Sequence, residues 1–429
     1  VYALIFVIGY LLGIFKSPED FRLLYHDDAT LTYLSGRLLM VIFSVAVVFL
    51  ISQIGKRLFN PKVGLMAGLI TALSPLYVNF SKFIRTDIIV TFFILLSLWF
   101  CINYHDRQRW RDLILTGVFI GLAVATKYPA VIFSVIILLV VIDEKKNFQQ
   151  KFLRLNASAS ASLAGAFIGS PFLFLDFKNA LKDVLFEART EHLSHTGAGF
   201  FENFIWYLQD PLTQAFTLGG LSLALLGLGI ILLENKQPAK LVAVFPIIFL
   251  VFISFLSLRW DRWVIPMIPF LALLLAYTIH WIVSRLKMIS GSKLQMPVGL
   301  VILIAVCLPL GYQDYQLGAS LAGPPTRTQA ADWMQVNIPA DSNVLMEIYG
   351  PIFPKYAFNF YVVDPTGQMV NYEPDDSYKN YFSPSGHIGD LDDKSTLTSE
   401  NISYVVLTQM YDRYKAEESM YPQVVSRYE

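Results

Sequence analysis

The sequence predicts a mainly α-helical protein that crosses a membrane many times and ends in a small α/β domain. Of its 429 residues, 55% are hydrophobic and 15% are charged, whereas soluble domains usually carry about 25% charged residues. The apolar residues also form unbroken runs, such as 38–54 and 263–284, and helices of ~17–25 residues are long enough to cross a bilayer. These observations exclude a soluble enzyme.

The apolar runs predict about ten crossings within a membrane domain of residues 1–311. They lie at roughly 38–54, 63–80, 86–104, 113–126, 129–142, 155–175, 216–233, 241–257, 263–284 and 295–311. Pro129 is well suited to begin the fifth of these helices. Residues 1–15 are open to two interpretations, a truncated crossing or a helix lying in the outer interface.

The Lys and Arg residues predict which ends of the helices face the cytoplasm. Five connections on one face hold 15 Lys and Arg in about 45 residues, and the opposite connections hold 11 in about 75 residues. Lys and Arg favour cytoplasmic loops, so the first face is predicted to be inside, in a plasma or inner membrane. The loop 176–215, the turn 259–262 and the C-terminal domain are then outside.

Residues 312–429 differ in composition from the membrane domain and are predicted to form an extracytoplasmic α/β domain. They contain 7 Lys and Arg against 16 Asp and Glu. A short helix is expected after Pro324 and Pro325, followed by strands at 343–347, 356–363 and 404–408. Neither part of the chain has the basic surface that nucleic-acid binding requires, so no nucleic-acid partner is expected.

Asp87 and Lys127 are charged residues at predicted outer helix ends. Ionisable groups at membrane depth are costly and usually functional. Asp87 could orient or activate a hydroxyl nucleophile, or it could be a helix N-terminal charge favoured by the dipole and paired with Arg85. Lys127, beside Tyr128, is either an ordinary interfacial lysine or a cation held near the headgroups, where it would meet a lipid phosphate.

Arg259 and Arg262 flank Trp260 and Asp261 in a short outer turn. Arginine pairs suit fork-like recognition of phosphate oxygens, although an ion pair between Arg259 and Asp261 is the alternative. Together with Arg85 and Lys127 they form a row of cations with nearby carboxylates. Cations stabilise a departing phosphate, and a carboxylate can accept a proton from an attacking hydroxyl.

A metal cofactor is not indicated, although a divalent metal is not ruled out. His192 and His195 lie in the outer loop with the His-x-x-His spacing of a zinc site, but a third ligand at a recognisable spacing is missing. Contact with substrate or phosphate and a plain loop role remain open for both. Cys101 and Cys307 lie inside apolar segments, which is unlike a disulfide framework or a cysteine zinc site.

The order of these segments resembles glycosyltransferase family 39, membrane enzymes of the GT-C fold that include protein O-mannosyltransferases and the aminoarabinose transferase of lipid A. The resemblance rests on the run from GRLLMVIF to RTDIIVTFF at 36–93, GLAVATKYPA at 121–130, SLRWDRWVIP at 257–266, and TRTQAADWMQVN at 326–337. It covers nearly the whole chain and leaves the individual substrate open.

The resemblance implies sugar transfer, with inversion, from a polyprenyl-phosphate donor to a lipid, protein or glycan acceptor at the outer face. It implies that Arg85, Lys127, Arg259 and Arg262 contact the donor phosphate and that Asp87 is a supporting acidic residue. Tyr128, His192 and His195 are expected to contact substrate. The principal catalytic Asp is expected upstream of residue 1, so the chain as given is expected not to catalyse transfer.

Two other functional classes remain open. A transporter or flippase for a lipid-linked or sugar substrate would also be polytopic and basic on its inner face. Transporters, however, tend to place ionisable groups near the bilayer midplane, whereas here the charges gather at one face. A non-catalytic relative with the same fold is the third class, because a fold does not guarantee activity.

Overall fold

The computed structural model describes residues 2–14, 16–21, 30–187, 189–235, 237–290, 295–351, 353–354, 357–364, 366–372, 381–382 and 386–429. The chain divides into two compact units. The first, here called the helical unit, comprises Ser35–Glu191 and His195–Leu317. The second, here called the mixed unit, comprises Val1–Leu34, His192–Ser194 and Gly318–Glu429.

Helices account for most of the described residues before the C-terminal sheet. In chain order they are α1 (Tyr2–Leu11), α2 (Thr30–Leu58), α3 (Pro61–Ala72), α4 (Pro75–Ser81), α5 (Thr86–Arg107), α6 (Trp110–Thr126), α7 (Val135–Ile142), α8 (Phe148–Gly169), α9 (Phe172–Leu175), α10 (Phe177–Glu187), α11 (Phe200–Gln209), α12 (Pro211–Glu234), α13 (Ala239–Ser254), α14 (Ile268–Ser290) and α15 (Gln295–Leu321). Tyr128–Ser134 and Asp261–Met267 are 3-10 helices that lead into α7 and α14.

Helical segments occupy all ten predicted crossings, which confirms the mainly helical membrane fold. Among the described residues, five helical segments are long and apolar enough to cross a membrane by length and composition. A sixth span results if α3 and α4, which are bent by 63° at residues 73–74, count together. Tyr128–Ile142 and Ala239–Ser254 are apolar but shorter.

α14 is the central helix of the helical unit. Its residues from Ile268 to Ala276 are all buried, as expected for a helix that is apolar on every side. The rings of Phe133, Phe245 and Phe270 pack against one another on one side of it, with centroids 4.7–6.1 Å apart. On another side, Gly227 of α12 lies so close that a Cβ atom there would be 2.4 Å from the carbonyl oxygen of Leu274.

Small residues let α6 and α8 pack with their backbones in contact. A Cβ atom added to Gly121 would lie 2.0 Å from the carbonyl oxygen of Ser162, and one added to Gly165 would lie 2.2 Å from that of Val118. The run rich in Ala, Ser and Gly at 157–170 therefore acts in helix packing, as its composition suggests. This close crossing fixes the position of α6, whose C-terminal end carries Lys127.

The mixed unit contains a helix followed by a small sheet, which confirms the predicted α/β region. Its elements after residue 321 are α16 (Thr326–Asn337), β1 (Asn343–Met346), β2 (Phe353–Pro354), β3 (Asn359–Val363), β4 (Met369–Asn371), β5 (Tyr381–Phe382), a 3-10 turn (Ile388–Asp390), α17 (Ser395–Ser399), β6 (Tyr404–Val406), α18 (Met410–Ala416) and α19 (Pro422–Tyr428). The strand order is β4-β3-β1-β6, and β1 is parallel to both β3 and β6.

The strands predicted at 343–347, 356–363 and 404–408 correspond to β1, β3 and β6. Tyr356 lies outside the described residues. The predicted domain boundary at residue 311 falls inside α15, which continues to Leu321. Helix Tyr2–Leu11 lies within the N-terminal segment whose interpretation the sequence leaves open.

The contact between α6 and α8 generates a stability prediction. We expect Gly121→Ala to lower the thermal unfolding midpoint of the purified protein in detergent, because the new methyl group forces the two backbones apart at a cost of about 1–3 kcal/mol. The matched control is Gly229→Ala in α12, where a Cβ atom meets nothing within 4 Å. Equal midpoints for the two variants would contradict the close crossing.

Candidate functional site

The site is built where α5 begins and α6 ends, at one end of the helical unit. Arg85 is the extended residue that precedes α5, and Asp87 lies in the first turn of that helix. Lys127 is the extended residue that follows α6, where Pro129 opens the next helical segment. The two helices pack side by side in opposite directions, so their charged ends meet.

Asp87 and Lys127 form an ion pair. The Asp87 residue is only 3% exposed, while the Lys127 side chain keeps 25% of its surface exposed. Asp87 therefore pairs with Lys127 and not with Arg85, which makes no ion pair within 4 Å among the described residues. The buried carboxylate holds the ammonium group of Lys127 in one place.

Lys127 lies in the field of the Asp87 carboxylate and of two further cations. Burial lowers the pKa of Lys127 below its usual value; Asp87 opposes this shift, and the charges of Arg262 and Arg85 add to it. A partly exposed cation with cationic neighbours favours the approach of an anion, because an anion reduces the repulsion among the cations. The arrangement is therefore suited to bind a negatively charged group.

Backbone pairing brings the loop around His195 to the turn that carries the two arginines. Thr196 and Leu258 form an antiparallel bridge. The N–H of Arg259 donates to the carbonyl of His195 at 2.8 Å. As a result the imidazole of His195 stacks on Trp260, with ring centroids 3.4 Å apart.

The guanidinium groups of Arg259 and Arg262 rest on aromatic rings. That of Arg262 lies 3.7 Å from the ring centroid of Trp260, and that of Arg259 lies 5.0 Å from the ring centroid of Trp206. Asp261 accepts a hydrogen bond from the N–H of Arg262 at 2.7 Å. Within the described residues, Arg259 forms no ion pair with Asp261, so its donors are not used by that carboxylate.

The structure adds three residues to the site that the sequence did not indicate. Asp210 and Arg85 are both close enough to Asp261 to act on it electrostatically. Trp206 supports Arg259, and Tyr207 is fully buried beside Arg259, Asp261 and the backbone of Trp260. Asp210 directly precedes the helix that starts at Pro211. A carboxylate at the start of an apolar helix, as also found at Asp87, is the signal by which the sequence could have identified Asp210.

Other predicted site residues are less closely connected to this cluster. Tyr128 follows Lys127 and is 41% exposed. His192 belongs to the mixed unit, where its Nδ1 lies 2.9 Å from the carbonyl of Leu193. No group of three or more His, Cys, Asp or Glu that could hold a metal occurs in the described part of the chain.

At the opposite end of the helical unit, several cations are committed to carboxylates. Arg57 contacts Asp106 at 2.6 Å, and Glu144 lies 2.9 Å from Lys146 and 3.6 Å from Arg154. These ion pairs join neighbouring helix ends, and in each of them the carboxylate neutralises the charge of the cation. Arg85 and Arg259 thus differ from them, because their charges are not compensated in this way within the described residues.

An apolar cleft opens beside Lys127. Its walls come from α5, α13 and the two 3-10 helices, and they are formed by Val90, Ile94, Lys127, Pro129, Ala130, Phe249, Ile253, Leu256, Trp263 and Pro266. Lys127 is the charged member of this lining. A molecule with an anionic head and a hydrocarbon tail matches both parts, since apolar contact favours the tail and the cation favours the head.

The chain is similar to known proteins in sequence and in fold. Residues 30–173 match the sequence model of a family described as dolichyl-phosphate-mannose-protein mannosyltransferase. This range contains Arg85, Asp87, Lys127 and Tyr128. No curated protein matches the chain by sequence.

Two kinds of solved membrane protein resemble the chain in fold. ArnT from Cupriavidus metallidurans in the apo state is 14% identical, with a TM-score of 0.50, and the match covers 72% of this chain and 67% of ArnT. ArnT from the same organism bound to undecaprenyl phosphate matches with 13% identity and a TM-score of 0.48, over 81% and 72% of the two chains. The apo Archaeoglobus fulgidus oligosaccharyltransferase is 13% identical, with a TM-score of 0.47, over 80% and 54%.

The ion pair between Asp87 and Lys127 generates a second stability prediction. Breaking a fully buried pair costs roughly 3–5 kcal/mol, because a charge is left without its partner. We expect Asp87→Asn to cost somewhat less, since Lys127 is partly exposed, and the double variant Asp87→Asn/Lys127→Gln to recover part of the loss. Thermal midpoints of the four proteins in the double-mutant cycle measure this coupling.

The control for this cycle is Lys415→Gln, which removes ion pairs with Glu418 and Glu429 between exposed side chains. Exposed pairs contribute little to stability, because water and salt screen them. If Asp87→Asn shifted the midpoint no more than Lys415→Gln, the buried pair would not hold the helix ends together.

Proposed function

We propose that this chain is a membrane glycosyltransferase and that it transfers a sugar from a polyprenyl-phosphate donor to an acceptor hydroxyl on a lipid, protein or glycan. The description of the family that residues 30–173 match names dolichyl-phosphate-mannose, which is a donor of this class. We further propose that the site faces the outside of the membrane, as the distribution of Lys and Arg favours.

One observation carries the proposal: arginines without an ion pair among the described residues lie in the same charged cluster as Lys127, beside an apolar cleft. Arg85 and Arg259 have hydrogen-bond donors that no carboxylate among the described residues uses in an ion pair. A guanidinium can bind two phosphate oxygens at once. The hydrocarbon chain of the donor would pack on the apolar residues next to Lys127, so that the phosphate is presented to the cations.

In the proposed reaction the acceptor oxygen attacks the anomeric carbon from the side opposite the phosphate. A bond forms between that oxygen and the carbon, the bond from the carbon to the phosphate oxygen breaks, and the configuration inverts. The bonding electrons leave with the polyprenyl phosphate. Arg85, Arg259 and Lys127 stabilise the negative charge that develops on it.

The acceptor hydroxyl must also lose a proton, for which a carboxylate is the usual base. Asp87 is committed to Lys127 and acts in this proposal as a positioning residue for that cation. Its role as a supporting acidic residue is compatible with this geometry. In the proposed reaction a carboxylate other than Asp87 takes this proton.

The proposal predicts the effect of removing a donor to the phosphate. We expect Arg259→Gln to reduce kcat/KM for a polyprenyl-phosphate sugar about 10- to 100-fold, because a hydrogen bond to a charged group contributes about 1.5–3 kcal/mol. Arg259→Lys retains the positive charge but cannot bind two phosphate oxygens at once. Its kcat/KM should therefore lie between those of the parent enzyme and Arg259→Gln. Transfer of radiolabelled sugar in proteoliposomes measures the rates.

The matched control is Lys56→Gln, which removes a cation in the last turn of α2, at the helix end opposite to the candidate site. We expect it to leave kcat/KM within about two-fold of the parent enzyme, as a change away from the site should. Equal rates for Arg259→Gln and Lys56→Gln would remove Arg259 from the donor site. Absence of transfer with every polyprenyl-phosphate sugar tested would overturn the proposed function.

A further inference from the structure

The mixed unit contains a second concave site at the carboxyl ends of its parallel strands. β1 lies in the middle of the sheet, with β3 on one side and β6 on the other. After β1 the chain adds β3 on one side of it, and later it adds β6 on the other side. In parallel sheets, ligands bind outside the carboxyl ends of the strands at such a switch point.

A cleft of about 380 Å³ occupies this position, a size in the range of small-molecule sites. Tyr349, Gly350 and Pro351 follow β1 and form one wall, and residues 406–409 at the end of β6 form another. The start of α16 contributes Thr326, Arg327 and Ala330. Three separate parts of the chain thus converge on one cleft.

Glu347 makes the cleft rigid. It is fully buried, and one of its carboxylate oxygens accepts hydrogen bonds from the N–H and hydroxyl of Thr408 at 2.8 and 2.7 Å. The hydroxyl of Tyr428 donates to the other oxygen. These bonds join the segment after β1 to the segment after β6, so the two walls are held at a fixed separation.

Tyr349 is held in an unusual backbone conformation at this cleft. Its φ of 70° lies in the left-handed region, which costs free energy for a residue other than glycine and is common at functional sites. The side chain is nevertheless 44% exposed. The conformation belongs to a turn that closes where the N–H of Gly350 donates to the carbonyl of Glu347 at 3.0 Å, since the third residue of such a turn can adopt a positive φ.

Arg327 supplies the charge of the cleft. Its guanidinium lies 5.6 Å from the ring centroid of Tyr349, and it forms no ion pair with any described residue. It is the charged residue in the cleft lining, although the segment 312–429 is acidic, with 7 Lys and Arg against 16 Asp and Glu. An arginine without an ion pair has its hydrogen-bond donors available to a carboxylate or phosphate.

We propose that this cleft binds an anionic sugar, a carboxylated or phosphorylated pyranose that belongs to the acceptor. Arg327 binds the anionic group, the exposed ring of Tyr349 packs against the apolar face of the pyranose, and Gln409 offers its amide to the hydroxyls. The acceptor role rests on the proposed function, because a transferase must bind an acceptor; binding of the sugar itself does not.

The test is a binding measurement on the full chain in detergent with glucuronate, glucose 6-phosphate and neutral glucose as probes. Saturation-transfer NMR gives contact and affinity without requiring catalysis. We expect both anionic probes to bind more tightly than glucose. We also expect Arg327→Gln to weaken their binding about ten-fold or more, since a charged hydrogen bond is lost. Tyr349→Gly should abolish transfer of saturation to the sugar ring while preserving the fold, because glycine suits the positive φ.

Two control variants separate this cleft from the donor site. Arg413→Gln removes another cation from the mixed unit, and Arg259→Gln removes one from the donor site; neither should alter binding of glucuronate. Binding that is unchanged in Arg327→Gln, lost in Arg259→Gln, or equally tight for glucose overturns the proposal, as does the absence of binding by both anionic probes. Sugar transfer that fails while these probes bind contradicts the proposed function alone.

Discussion

The buried ion pair between Asp87 and Lys127 is the constraint on which the candidate site depends. It joins the beginning of α5 to the end of α6. Because Asp87 is almost completely buried, its charge needs a partner in the fold, and Lys127 supplies one. The close crossing of α6 and α8 through glycines fixes the position of Lys127. Helix packing thereby determines where a cation stands at the membrane surface.

Aromatic support and charge act together in the rest of the site. Trp206 and Trp260 carry the guanidinium groups of Arg259 and Arg262. A ring holds a guanidinium in place without using its hydrogen-bond donors or cancelling its charge, unlike a carboxylate. At the other end of the helical unit, Glu144 and Asp106 neutralise the cations beside them. The same residue types thus stabilise one end and leave the other able to bind an anion.

The two units use Arg in comparable ways. In the helical unit Arg259 and Arg262 rest on rings, and in the mixed unit Arg327 rests on Tyr349. The proposed ligands of both sites carry an anionic group attached to a sugar or a lipid. In each case a rigid feature defines the cavity: the helix bundle for the donor, and the bonds of Glu347 for the acceptor sugar.

The sequence alone predicted the membrane fold and the α/β region, and it proposed four cations for the candidate site, because hydrophobic runs and charges at helix ends depend only on local composition. It could not choose the partner of Asp87: Arg85 is two residues away, but Lys127, forty residues away, forms the pair. Tertiary structure likewise decided that Asp210, Trp206 and Tyr207 belong to the site, and it formed the cleft at Arg327. Contacts between distant segments depend on helix crossing and strand order, which local patterns do not encode.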